Sequence, residues 1–119
     1  MDIHCKRAYE AAASGDGQRF LVDRLWPRGV SHEALQATWL KEVAPSDALR
    51  KWFDHQAERW PEFQQRYWHE LAAQPQQLAP LRDALDEGPV TLVYGARDTE
   101  HNQAVALRAY LLAHPRRKQ

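Results

Sequence analysis

The stretch "GPVTLVYG", residues 88–95, places five strand-forming residues between a Gly-Pro break and a lone glycine. Branched and aromatic side chains suit a pleated surface, so Val90–Tyr94 predicts a strand. Helical patterns stand on both sides of it. Upstream, Leu78, Leu81 and Leu85 recur at three- and four-residue steps, predicting a helix over 76–85. Downstream, after a polar loop at 96–100, Ala104, Leu107 and Leu111 share one face of a helix ending near residue 113. A strand enclosed by helices joins a sheet through crossovers, and crossovers make neighbouring strands parallel.

Working outward, "RFLVDRL" at 19–25 predicts a second strand. Phe20, Leu21, Val22 and Leu25 form a nearly continuous apolar run, which suits a strand covered on both faces. Pro27 and Gly29 end it. Residues 3–9 read as a first strand, separated from the second by the Asp16-Gly17 turn. Ser31 caps a short helix from His32. "TWLKEV" at 38–43 fits either a continued helix or a further strand, and Pro45, which disfavours helix at Ala44, tips it toward strand. Ser46 or Asp47 caps a helix carrying Leu49, Trp52 and Phe53. Pro61 opens another, with Trp60, Phe63, Tyr67 and Leu71 as its core stripe. The fold expected is α/β: one domain over 1–119, a small, mainly parallel sheet of three to four strands flanked by helices, and a helical middle segment.

At 119 residues and 44% hydrophobic, the chain can bury a core without metal or disulfide support. One cysteine, Cys5, excludes an internal disulfide and fits a reducing, cytoplasmic setting. No apolar h-region or membrane-length run is present. Sixteen basic residues balance sixteen acidic ones, so overall charge draws the chain to neither nucleic acid nor membrane. The basic end, 114–118, reads as a frayed solubilising tail.

Parallel sheets bind ligands at the carboxyl ends of their strands. Asp23, Arg24 and Arg28 follow one predicted strand, with Arg28 turned back over its end. Lys41 and Ser46 follow another, and Tyr94, Arg97, Asp98 and His101 follow the last. Guanidinium groups match phosphate or carboxylate, so Arg24 and Arg28, with Lys41, Ser46, Arg50 and Asn102, are the candidate ligand-binding residues. Asp23 and Asp98 could orient those cations or act as bases, with His101 and Tyr94 at a reacting group, which makes these four the candidate catalytic residues. Asp98 or Thr99 is the expected N-cap of the last helix. The six histidines are scattered without metal-ligand spacing, and no glycine-rich phosphate loop or nucleophile elbow occurs; no metal and no cofactor are expected. The first functional reading is an enzyme, or a degenerate one, with a pocket for a small anionic, phosphorylated or nucleotide-like ligand and hydrolysis or group transfer as its chemistry. A nucleic-acid module stacking bases on Trp26, Trp39 and Trp52 is a second reading, opposed by the neutral charge. A stress-response or interaction protein that docks a partner through its Trp-rich middle is a third.

Five segments carry a family resemblance: "KRAYE", "DGQRFLVDRLWPRGVS", "WLKEVAPSDALRKWFDH", "ERWPEFQQRYWHEL" and "GPVTLVYGARDTEHNQAVAL". Together they resemble the YeaO-like proteins of the domain-of-unknown-function 488 family, over nearly the whole chain. The resemblance implies one α/β domain of bacterial type, and it supports "TWLKEV" leading into a strand. The wider family is similar to a pattern with Asp-Val-Arg ending one strand and Cys-His-Arg opening the helix after the last. The first maps to Asp23-Arg24 without the intervening residue, and the second falls near His101-Asn102 without the cysteine. The resemblance implies a fold and a site, and no reaction.

Overall fold

All four strands of the sheet are parallel, in the order β1-β4-β2-β3. The computed structural model describes residues 1–115; of the basic end expected at 114–118, residues 116–118 lie outside them. The strands are β1 (Ile3–Arg7), β2 (Gln18–Leu21), β3 (Thr38–Trp39) and β4 (Val90–Tyr94). The helices are α1 (His32–Leu35), α2 (Asp47–Phe53), α3 (Trp60–Ala73), α4 (Ala79–Glu87) and α5 (Gln103–Ala113). Among the described residues, no helix is long and apolar enough to cross a membrane.

β4 is central, and all five of its residues are buried. Side chains alternate across a strand, so β4 feeds two cores. Val90, Leu92 and Tyr94 join Phe20 and Val22 in the larger one, packed with Phe63, Tyr67, Leu81 and Leu107 from α3, α4 and α5. Val93 joins Leu21, Ala8 and Leu35 in a smaller core roofed by Trp26, Val30 and Ala37. The smaller layer is partly polar. Arg19 donates to the Leu35 carbonyl at 3.0 Å and to Asp16, and Thr91 donates to the Asp16 carbonyl at 2.7 Å. Burial would raise the Asp16 carboxyl, but the Ala13 N–H, Arg19 and Lys6 outweigh it and hold it below the usual range.

Three predicted elements are corrected. The strand expected over 19–25 leaves the ladder after Leu21. Val22 makes one further bond to the Val93 carbonyl at 3.0 Å, and Leu25 is exposed. The strand expected over 38–43 is two residues long, because β2 has already ended and offers nothing beyond Leu21 to pair with. Leu40 takes the Leu21 carbonyl, and Lys41–Val43 turns into a 3-10 coil. The helix expected over 76–85 divides: Pro75–Leu78 is 3-10, and α4 begins at Ala79 with Pro80 in its first turn, where a missing N–H costs nothing. Ala44 is extended before Pro45, and Ser46 caps α2 by accepting from the Leu49 N–H.

Candidate functional site

The chain leaves β2 toward β3 on one side, while from β4 it passes into α5, which packs on β1 and β4. Between the carboxyl ends of β2 and β4 the connections therefore diverge, which opens a crevice. Asp23 bridges it. Its Oδ2 accepts from the Gly95 N–H at 2.8 Å, and its Oδ1 accepts from the Gln103 side-chain amide. Trp39 fixes the backbone beneath, donating from Nε1 to the Asp23 carbonyl at 2.8 Å. Burial pushes the Asp23 carboxyl up to about 6, against the Gly95 N–H that favours its charged form.

Above Asp23 lies a cavity of about 260 Å³. Its apolar wall includes Phe53 and Phe63, stacked with centroids 4.4 Å apart, together with Ala44 and Pro45. Arg24 and Arg50 line the α2 side. Arg24 Nε donates to the Pro45 carbonyl at 3.3 Å and lies 3.6 Å from Asp47, and Arg50 lies 3.4 Å from the same carboxylate. Asp47 is largely exposed, so water weakens its hold on both guanidinium groups. His55, just past the end of α2, completes this side at a positive φ of 54°.

The opposite wall comes from the loop after β4. Asp98 accepts the N–H groups of Glu100 and His101, and its Oδ2 takes His101 Nδ1 at 2.9 Å. The Glu100 N–H and the His101 contacts hold the Asp98 carboxyl below the usual range. An ionised carboxylate only accepts, so the Nδ1 facing it carries a proton. The Trp60 and His101 rings meet in a T-shaped contact with centroids 5.3 Å apart. The expected cap is corrected here: neither Asp98 nor Thr99 but Asn102 caps α5, accepting from the Val105 N–H at 3.0 Å. Its amide also donates back to the Asp98 carbonyl at 2.9 Å. Asp98 instead shapes the turn leading into the helix.

Of the residues singled out from sequence, Asp23, Arg24, Arg50, His101 and Asn102 line this one cavity, and Asp98 stands behind His101. Four lie elsewhere. Arg28 is exposed on the turn after Pro27, where its carbonyl accepts from Tyr9. Lys41 stands 5.3 Å over the Trp39 ring. Ser46 is spent on the α2 cap and on Glu70, to which its Oγ donates at 2.6 Å. Tyr94 faces the larger core, where burial raises its phenol. Sequence reasoning missed Gln103, Gly95 and the Phe53–Phe63 wall as parts of the cavity, and it weighed His55 only as a metal ligand. Gln103, the first residue of α5, was within reach of the same strand-end rule. His55 carried no such signal, since its place depends on the left-handed turn after Phe53.

Three comparisons with known proteins bear on this geometry. A family profile described as "Inactive DUF488-N3 subclade" matches residues 2–119. The uncharacterised protein YeaO of Escherichia coli is 42% identical over 112 residues, covering 93% of this chain and 97% of that protein. The uncharacterised protein Rv3073c of Mycobacterium tuberculosis is 40% identical over 110 residues, 92% of each. No solved structure matches the chain. A profile spanning nearly every residue, with full-length relatives at this identity, places the chain in the domain-of-unknown-function 488 family.

Proposed function

We propose that the cavity between β2 and β4 binds a small phosphorylated ligand and does not turn it over. The observation that carries this reading is the convergence of Arg24 and Arg50 on one apolar-walled cavity, with an imidazole on each side. Guanidinium groups present paired donors to phosphate oxygens. Their present partner, Asp47, is a single exposed carboxylate that a bound anion can replace. An apolar wall with a few placed polar groups is the usual make-up of a small-molecule site.

Binding without turnover is supported by what surrounds the ligand. Among the described residues that line the cavity there is no serine, threonine, cysteine or lysine, and Asp23 and the two histidines are the groups left that could act as base or nucleophile. Glu100 precedes His101, where the wider family pattern has cysteine. The subclade is itself described as inactive.

The test is thermal unfolding with millimolar ethyl phosphate, on the unaltered protein and on Arg50→Ala. A ligand that binds only the folded state raises Tm by mass action. The expected result is a rise in Tm that is reduced or lost in Arg50→Ala, with phosphorus NMR showing the ester intact. An equal rise in both proteins, or none in either, overturns the binding reading; released phosphate overturns the absence of turnover.

A further inference from the structure

Asp23 is a carboxylate at the base of a cavity whose other charged lining groups are cationic. Among the described residues no lysine, arginine or histidine forms an ion pair with it. Its protein donors are both neutral, the Gly95 N–H and the Gln103 amide. A carboxylate has about four lone-pair directions, so two donors leave accepting capacity unused. The chain holds the group in place from three sides: Gly95 at one oxygen, Gln103 at the other, and Trp39 at its backbone. Gly95 and Gln103 each engage one carboxylate oxygen, and neither supplies a positive charge to balance the carboxylate.

The two ends of the cavity are thus of opposite sign. Arg50, on the exposed side of α2, marks the rim, and Asp23, tied to Gly95, marks the floor. From this arrangement we infer that the ligand is zwitterionic, with its phosphoryl group on Arg24 and Arg50 and a cationic nitrogen on Asp23. The inference rests on the phosphoryl-binding reading above and extends it to the second end of the ligand. Phe53 and Phe63 then face the segment joining the two charges.

Two probes of nearly equal size separate the claims: phosphoethanolamine, which carries an ammonium, and ethyl phosphate, which does not. Calorimetric titration at pH 7.5 reads both affinities. On the unaltered protein, phosphoethanolamine should bind about tenfold tighter or more, the scale of one charge-assisted hydrogen bond. Asp23→Asn should abolish that advantage while still binding ethyl phosphate, and Arg50→Ala should weaken both probes. Equal affinity of the two probes for the unaltered protein overturns the zwitterion inference and leaves the phosphoryl site standing. An advantage that persists in Asp23→Asn also overturns it. Binding of neither probe overturns both readings. The comparison on the unaltered protein holds whatever the variants do to folding.

Discussion

A methyl group added at Gly95 would sit 3.0 Å from Asp23 Oδ2, closer than carbon and oxygen comfortably approach. The carboxylate must then give by a few tenths of an ångström, which weakens its bond from the Gly95 N–H, the bond that favours its charged form. Gly95→Ala should therefore fold and yet raise the Asp23 titration midpoint above about 6, read from its carboxyl carbon by NMR. An unchanged midpoint would show that Gly95 does not set the state of Asp23. Asp23 and His101 were legible because both follow predicted strands, and strand ends are where a parallel sheet places its ligands. Their partnership with Gly95 and Gln103 was not legible. It depends on which strands are neighbours, and a sequence with four strands leaves that order open. Arg28 and Ser46 show the converse, since both follow the rule in sequence and yet are directed elsewhere by a turn and by a helix cap.

Among the elements, β2 depends on how it starts. Gly17 has φ 65° and ψ −144°, a region essentially reserved for glycine. A Cβ there would lie 2.0 Å from the Pro89 carbonyl oxygen, the group that accepts the Gln18 N–H. Substitution by alanine combines backbone strain with a collision against backbone, at the junction of β2 and β4. Gly17→Ala should cost about 3 kcal/mol or more. Urea unfolding measures it, and a loss below about 1 kcal/mol would mean that the junction yields easily. The Asp16-Gly17 turn was readable from residue types, and so were β4, the α3 stripe and a cap for α2 at Ser46 or Asp47, of which the structure uses Ser46. The lengths of β2 and β3 were not. Apolar character continues to Leu25, but pairing stops where the neighbouring strand stops, and that limit is tertiary. At the cavity, element packing also sets the state of Arg24 and Arg50, both of which lie against Asp47. Asp47→Ala should tighten ethyl phosphate binding severalfold by removing the competing carboxylate. Weaker binding would instead make Asp47 the group that positions the two arginines.

For the whole molecule, three perturbed carboxyl groups pull stability in opposite directions with pH. Asp23 is raised to about 6, whereas an aspartate in an unfolded chain titrates near 3.9. Between those values the native state holds a proton that the unfolded state has released. Stability therefore falls as pH rises from about 4 to about 6 and stays flat above. Asp16 and Asp98 are lowered, so their contribution is present above the ordinary aspartate range and is lost as pH falls below it. The opposed contributions of these three groups meet near the ordinary aspartate range, so together they favour mildly acidic over neutral pH. From pH 7.5 to pH 5 the Asp23 contribution amounts to about 1 kcal/mol in favour of the acidic condition. Urea midpoints at the two pH values should differ accordingly, and Asp23→Asn should raise the midpoint at pH 7.5 and remove the Asp23 share of the difference. A pH difference unchanged in Asp23→Asn would mean that the floor of the cavity carries no strained charge. A charge kept there at a cost to folding, and relieved by a cationic ligand, is what a binding site at this position requires.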